Sequence, residues 1–204
     1  MGAATALGAM GTVIGLVRAL PQLVRLFVTR DAHGVSLDTA ATSSVVSYGW
    51  ATYGVLTHQL PVALATGSSG TVFALVTIFA LRYGRRPAEL RAAPVWLVVL
   101  GLGVGFAGSD GLGVLLPISV LVANIPQLVV AFREKDLTGL SATTWMLSVS
   151  DGAVWLAYAL VTGDRAILVF GILQVTTSAA IVIRRGVWSR GRSPEPVSTG
   201  TAGR

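Results

Sequence analysis

Polar and aromatic side chains inside long apolar stretches are the residues of this sequence that could do chemistry. They are Trp50, Trp155, Asp151 and Arg18. An indole ring offers a flat apolar face that suits the C–H face of a sugar ring or a cation, together with one N–H donor. An acidic residue at the centre of a membrane helix costs about 2.5–3.5 kcal/mol on insertion scales, so it faces the protein interior or water. These residue types indicate binding of a small polar solute within a membrane.

The two tryptophans have two interpretations. Trp is enriched where a helix leaves the bilayer, so each could be an interfacial anchor. Trp50 and Trp155 lie about seven residues from the outer ends of their predicted spans, roughly 10 Å deep at 1.5 Å rise per residue. That depth favours a pocket over an anchor.

Asp151 and Arg18 are the intramembrane charges. Asp151 lies four residues before Trp155, so both side chains share one helix face. The carboxylate could titrate or contact a solute, or it could be the structural partner of Arg18, and the sequence leaves both open. Our hypothesis is that the pair forms a cytosolic-side latch that breaks when two helix bundles rock.

Membrane helices are the elements that must position these residues. Hydrophobic residues make up 53% of the 204-residue chain and charged residues 12%, about half the charge of a soluble domain. Apolar stretches long enough to cross about 30 Å of hydrocarbon recur between short polar segments. They predict seven spans, at 4–28, 38–57, 61–82, 93–108, 112–132, 143–162 and 166–184.

The basic residues predict the orientation. With the N-terminus outside, Arg165 is the one basic residue left in an outer loop, and the inner loops and tail carry nearly all the others. Because short cytosolic loops are rich in Arg and Lys, we expect the N-terminus outside and the C-terminus in the cytosol. Among fifteen basic residues only Lys135 is a lysine, a usage typical of a GC-rich bacterial genome, so we expect a bacterial cytoplasmic membrane. The net charge of +6 is spread between apolar runs, which argues against nucleic-acid binding.

An internal repeat appears at an offset of 105 residues, without gaps. It places Pro21-Gln22 on Pro126-Gln127 and Trp50 on Trp155. Two unrelated apolar segments would share Leu, Val and Ala, but would not align Pro-Gln, Trp and Tyr in one register. Further matched pairs are Leu23/Leu128, Val24/Val129, Phe27/Phe132, Asp31/Asp136, Gly34/Gly139, Ser36/Ser141, Tyr53/Tyr158 and Thr57/Thr162.

The repeat predicts the domain organisation. Each copy contains three spans, so an additional span is needed to give both copies the same orientation. The predicted fold is an all-α membrane protein with seven transmembrane helices, in which a linker helix joins two parallel three-helix bundles (3+1+3). Its parts are 4–84 (first repeat), 92–109 (linker), 111–185 (second repeat) and 186–204, a disordered cytosolic tail. Parallel repeats with a site at their interface are a transporter architecture.

The motifs resemble a known superfamily. An apolar helix with Pro-Gln, a basic loop with Gly-x-Ser and a helix with Trp-x-x-Tyr resemble the PQ-loop (MtN3/saliva) superfamily. The 3+1+3 layout is similar to SWEET sugar transporters, over roughly residues 5–185. The chain looks like a full-length, two-repeat bacterial member, whereas the half-sized bacterial relatives dimerise. The resemblance implies that Trp50 and Trp155 stack on a sugar, with Val46 and Asp151 as pocket positions four residues earlier.

The chain departs from the family at one pair of positions. Family members usually place an asparagine sixteen residues after each of these tryptophans, where this chain has Thr66 and Gly171. The amide pair best suited to polyol hydroxyls is therefore absent. Other polar candidates on the same third helices are Gln174, Ser68 and Ser69.

The proline motifs are candidate hinges. Pro21 and Pro126 each remove a backbone hydrogen bond within a span, which makes a kink or a hinge. A hinge, formed with Gln22 and Gln127 and close to Arg18, would suit alternating access. A static kink is the alternative, and the recurrence in both repeats favours the hinge.

Three functions stay open on the sequence. The first is a carrier that moves a small sugar, a mono- or disaccharide, by facilitated diffusion (a uniporter). The alternatives are a proton-coupled carrier of an amine or amino acid that uses Asp151, and a non-transporting membrane adaptor or receptor. The chain lacks cysteine and shows no nucleophile-base-acid set, so we expect no enzyme, cofactor or metal. The expected partners are a small solute and the lipid bilayer, and a homo-oligomer is compatible although one chain can form the pathway.

Overall fold

A computed structural model describes residues 2–134, 136–137 and 140–190. Of Arg190 it describes the backbone alone. Gly139 of the predicted repeat and Lys135 lie outside the described residues. Within the described ranges the chain forms six α-helices and one 3-10 turn, Pro87–Glu89. The helices are α1 (Ala3–Thr29), α2 (Leu37–Leu56), α3 (Leu60–Arg82), α4 (Ala92–Arg133), α5 (Ala142–Thr162) and α6 (Arg165–Arg190).

The described helices make the chain a multi-pass membrane protein. Five of the six are long and apolar enough to cross a membrane. The exception is α2, whose many Ser, Thr and Gly residues lower its mean hydropathy. The sequence predicted seven spans, and α4 alone covers two of them, 93–108 and 112–132.

Helix α4 turns back on itself at Gly108. This residue has φ 57° and ψ −133°, which no α-helix contains. A Cβ on Gly111 would overlap the carbonyl oxygen of Gly103. In a straight helix these two residues would be about 12 Å apart, so the backbone must double back between them. The chain therefore forms two closely packed arms, and we call residues 92–107 the first arm and residues 109–133 the second arm.

Contacts between helices divide them into two groups. In the first helix group, α3 packs against α1 and α2. In the second, α6 packs against α5 and α4, and Asn124 of the second arm donates a hydrogen bond to Thr177 of α6 (2.7 Å). The groups meet where α1 packs on α5 and α2 on α4.

Local geometry repeats at the offset seen in the sequence. Ser36 caps α2 by accepting a hydrogen bond from the Thr39 amide at 3.3 Å. Ser141 caps α5 through the Thr144 amide at the same 3.3 Å. Matched caps start both helices in the same register, so Trp50 and Trp155 lie at equal distances from the starts of their helices.

In the part of the chain that the structure describes, three buried apolar clusters hold the helices together. The largest, the shared core, contains residues of both groups, among them Tyr53 and Tyr158. Among the described residues, the other two clusters lie each within one group and contain equivalent residues. The equivalent pairs are Leu26/Ala131, Ala32/Leu137, Val35/Leu140 and Val76/Ile181. We call the end with the shared core the closed end, and the end with two separate clusters the split end.

The predicted tail begins inside a helix. Helix α6 continues to Arg190, so residues 186–190 are helical. The extension has a physical reason, because Trp188 packs against the buried cluster at the split end and carries the Arg185 guanidinium over its ring at 4.4 Å. Residues 191–204 of the predicted tail lie outside the described residues.

Candidate solute-binding site

A cavity of about 200 Å³ lies between the two helix groups, and we call it the polar chamber. Helices α1, α2 and α3 line it on one side, and α5 and α6 on the other. It is smaller than the roughly 300–1,000 Å³ of pockets for drug-sized ligands, so it fits a smaller solute. The hydroxyl residues in its wall are Ser43, Ser47, Thr66 and Ser69.

The two predicted tryptophans meet at the chamber. Trp50 is 6% exposed and Trp155 is 7% exposed, and both rings line the cavity. Each packs edge-on against a tyrosine one turn later, Trp50 on Tyr53 at 5.6 Å and Trp155 on Tyr158 at 5.5 Å. Both indoles are therefore held inside the protein rather than at a lipid-facing surface, which favours the pocket interpretation over the anchor.

The predicted partners Arg18 and Asp151 form an ion pair. The Nη1 atom of Arg18 lies 3.1 Å from the Oδ2 atom of Asp151. Asp151 is buried, whereas 37% of the Arg18 side chain is exposed, and both residues line the chamber. The Trp155 side chain lies beside the same carboxylate. The pair joins α1 to α5, and so it links the two helix groups.

Two glycines of α1 allow it to approach the chamber closely. A Cβ on Gly11 would come within 2.6 Å of the Trp155 ring, and one on Gly15 within 2.6 Å of the Ser69 hydroxyl. Real Cβ atoms do not approach so closely, so the observed packing requires glycine at Gly11, against a rigid ring, whereas at Gly15 the Ser69 hydroxyl would have to rotate away. No sequence signal distinguishes these two glycines, since glycine is common in membrane helices.

Among the other predicted site residues, Val46 and Thr66 line the chamber but Gly171 and Gln174 do not. The Thr66 hydroxyl donates to the Val62 carbonyl of its own helix at 2.7 Å. Gly171 faces α5, since a Cβ there would approach the Leu156 backbone at 2.8 Å.

Gln174 points to a different interface. It is buried, and its Oε1 atom accepts a hydrogen bond from Asn124 at 3.4 Å. Its Nε2 atom donates to the Ser178 hydroxyl at 3.4 Å. The side chain is therefore used between α4 and α6, where the buried Asn124 amide supplies its partner.

The predicted hinge residues stand apart from the chamber. Both α1 and the second arm continue as helix through Pro21 and Pro126, and the non-helical φ/ψ within α4 is that of Gly108. Both prolines and Gln127 are exposed, and Gln22 is half-buried. Of the predicted hinge or gate residues, Arg18 is the one that lines the chamber.

Residues at the closed end join the helix groups by hydrogen bonds. The Tyr53 hydroxyl donates to Asp164 Oδ2 at 2.7 Å, and Gln59 Nε2 donates to the same oxygen at 2.6 Å. The Ile167 amide donates to Asp164 Oδ1 at 2.8 Å, which caps α6. This set was not predicted from the sequence, although Gln59 and Asp164 are 105 residues apart and thus equivalent in the repeat.

Phe170 is a second residue that the sequence analysis missed. Its ring lines the chamber and lies 5.3 Å from the Trp50 ring at 71°. An apolar residue in an apolar helix gives no sequence signal. Among the described residues, no group of three His, Cys, Asp or Glu side chains could hold a metal ion.

Known proteins resemble this chain over part of its sequence or in its fold. No protein-family model matches the chain. An uncharacterised protein of Methanocaldococcus jannaschii is 32% identical over 53 residues, which cover 26% of this chain and 57% of that protein's length. The solved structure of a eukaryotic SWEET transporter is similar with a TM-score of 0.74 and 14% identity, over 92% of this chain and 97% of that chain. The predicted all-helical, SWEET-like membrane fold is therefore confirmed.

Proposed function

We propose that this protein is a membrane transporter that moves a small sugar by facilitated diffusion with alternating access. The observation that carries the proposal is the polar chamber between two helix groups, with Trp50 and Trp155 facing it from equivalent positions. Two buried indole faces can stack on the C–H faces of a sugar ring. A pathway between repeats is also how parallel-repeat transporters are built.

The proposed membrane arrangement has seven spans in a 3+1+3 order, with two parallel bundles. The reversal at Gly108 supports it, because the two arms of α4 then cross the membrane in opposite directions. The first arm is the linker span, and the second arm begins the second repeat. One chain forms the pathway in this arrangement, whether or not copies associate.

The proposed orientation follows from charge. The N-terminus lies outside and the C-terminus in the cytosol of a bacterial cell, because the basic residues then lie almost all on the cytosolic side. The closed end, with Tyr53 and Asp164, is the outer end, and the split end is cytosolic. The protein is a carrier without catalytic activity, and its partners are the solute and the lipid.

Solute contacts in the chamber come from rings and hydroxyls. Trp50 and Trp155 stack on the solute, and the hydroxyls of Ser47, Thr66 and Ser69 are placed to bond its polar groups. Hydroxyls thus take the place of the absent asparagine pair. The Thr66 and Ser69 hydroxyls donate within α3, to Val62 and Ala65, so each offers its oxygen as an acceptor for a sugar hydroxyl.

A second candidate function is a proton-coupled carrier of an amine or amino acid. The ion pair between Arg18 and Asp151 in the chamber wall favours it. A cationic group could replace Arg18 at the carboxylate, and two indoles suit a cation. In this candidate Asp151 exchanges a proton during transport.

Counterflow of labelled glucose into proteoliposomes, at equal pH on both sides, tests the first candidate. We expect saturable counterflow that Trp50→Ala and Trp155→Ala abolish. Trp96→Ala is the matched control, because Trp96 packs outside the chamber on the first arm. No counterflow by folded, inserted protein would remove the sugar proposal and favour the second candidate.

The pH dependence of transport separates the two candidates. A sugar uniporter gives nearly constant rates between about pH 5.5 and 7.5, whereas a titrating buried carboxylate gives a slope in that window. Asp151→Asn removes the titrating group and should flatten any slope. A slope that persists in Asp151→Asn would contradict the proton-coupled candidate.

A further inference from the structure

Two cavities lie in line between the helix groups. The polar chamber extends from the tryptophans toward Arg18. A second cavity of about 30 Å³, the apolar pocket, extends toward the closed end and adds Val62 and Ile167 to its wall. Val62 and Ile167 are close to the first residues of α3 and α6, which begin at the closed end. The two cavities thus follow one another along the line from one end of the protein to the other.

Four residues border both cavities: Trp50, Thr66, Trp155 and Phe170. Phe170 comes from α6 of the second helix group, and its ring contacts Trp50 of the first at 5.3 Å. Both rings of this edge-on contact border both cavities. The ring of Phe170 therefore lies at the boundary between the chamber and the apolar pocket.

The repeat is asymmetric at this level. The offset that aligns Trp50 with Trp155 aligns Ala65 with Phe170. Ala65 also lines the chamber and is 3% exposed, but it has a single methyl group. At the level of the tryptophans, α6 thus supplies a large ring and α3 does not.

We propose that Phe170 is a specificity-determining residue, whose ring separates the two cavities and so limits the length of the solute that the chamber accepts. The inference rests on the proposed transport of a sugar. With the ring in place, the chamber of about 200 Å³ accepts a one-ring solute. Without it, the apolar pocket joins the chamber, and a second sugar ring can lie toward Val62 and Ile167.

Cysteine labelling tests the separation without any solute. The chain contains no cysteine, so Ile167→Cys introduces a single thiol behind the ring. We expect a small hydrophilic methanethiosulfonate to modify this thiol at least about fivefold faster when Phe170→Ala is added, since thiol modification follows access. Ser47→Cys, within the chamber, should react at the same rate in both backgrounds.

Two further variants keep the labelling test decisive. Phe170→Leu retains part of the side-chain volume and should give an intermediate rate, and it serves if the alanine variant does not fold. Leu168→Ala removes a comparable volume from α6 at a position that borders neither cavity, so the Ile167→Cys rate should stay unchanged. Equal Ile167→Cys rates with and without the Phe170 ring would overturn the separation.

Transport of two sugars tests the consequence. In proteoliposomes the native chain should exchange labelled glucose and exclude maltose, and Phe170→Ala should raise the maltose-to-glucose ratio at least about fivefold. An unchanged ratio in a variant that transports glucose would overturn the role of Phe170 in selectivity. Absence of glucose exchange by the native chain would instead overturn the proposed sugar transport, and the labelling rates then decide whether Phe170 separates the cavities.

Discussion

The two ends of the molecule are held together in different ways. At the closed end the helix groups share one apolar core, and Asp164 accepts hydrogen bonds from Tyr53 and Gln59 of the other group. At the split end, among the described residues, each group has its own small apolar cluster. Between the chamber and the split end, the groups are joined by the ion pair of Arg18 and Asp151.

This difference indicates that the split end opens more easily than the closed end. Separating the groups at the closed end exposes apolar surface to water, which costs a free energy of about 25 cal/mol per Å². It also breaks the hydrogen bonds to Asp164. Separating α1 from α5 toward the split end breaks the ion pair of Arg18 and Asp151, while each cluster stays intact within its group. At that end the amides of residues 91–93 also donate hydrogen bonds to Asp38, which holds the start of α4 to α2. The structure is thus a state in which the groups are held more firmly at the closed end than at the split end.

The largest expected effect comes from breaking the ion pair on one side. Arg18→Ala leaves the buried Asp151 carboxylate without its partner and should lower the free energy of unfolding by about 2–4 kcal/mol, somewhat less than for a fully enclosed pair. Transport should fall with it. Thermal unfolding in detergent and counterflow measure the two effects.

The double variant Arg18→Ala with Asp151→Asn is the control for this prediction. It removes both charges, so it should recover most of the stability that Arg18→Ala loses. Simply additive losses in the two single variants and the double variant would contradict a coupled pair.

The next effect is at the closed end. Asp164→Ala leaves the donors of Tyr53 and Gln59 without their acceptor and removes the cap of α6, which should cost about 1–3 kcal/mol. The closed end should then open more often, so an introduced Val62→Cys thiol should react faster. Asp110→Ala, which removes another carboxylate near this end, is the matched control. Equal labelling in the two variants would contradict a closing role for Asp164.

Gly11→Ala tests the contact between α1 and the chamber. The new methyl group would collide with the Trp155 ring, and such overpacking costs about 1–3 kcal/mol. Solute affinity should weaken because the indole moves. Gly101→Ala has no atom near its new Cβ and should be neutral or slightly stabilising, as is usual in helices. Equal solute affinity in the two variants would show that Trp155 does not depend on this contact.

The smallest effect is expected from Tyr53→Phe. It removes one hydroxyl donor to Asp164 and leaves Gln59 as the other, so the loss should be about 0.5–1.5 kcal/mol. Thermal unfolding of Tyr53→Phe measures it, and the control is Tyr48→Phe, which removes an exposed hydroxyl contact to Thr71 (3.0 Å) within the first helix group. A loss as large as that of Asp164→Ala would mean that Gln59 and the cap of α6 contribute little.

Features with a strong residue signal were predictable from the sequence. The paired tryptophans and the repeat could be recognised because Trp and Pro-Gln are rare in apolar segments. The pairing of Arg18 with Asp151 followed from the penalty on unpaired charges in lipid. The SWEET-like fold followed from these motifs together.

Other features could not be predicted because they depend on which residues, distant in sequence, pack against a given side chain. Gln174 is directed to the α4–α6 interface by Asn124, which is distant in sequence. Phe170 is an ordinary apolar residue until its contact with Trp50 is known. Helix α4 reverses because of the backbone angles of Gly108. Five other glycines lie within residues 101–113, and no sequence pattern shows which of the six makes the turn.

The most direct test of the account is a pair of distance measurements by electron spin resonance in proteoliposomes. The cysteine-free chain allows spin labels at Val55 and Arg165 across the closed end, and at Val28 and Phe132 across the split end, all at exposed positions. The account predicts opposite changes, so that when glucose is added one pair separates as the other approaches. Distances that stay fixed at both ends, or that change in the same direction, would contradict alternating access between the two helix groups.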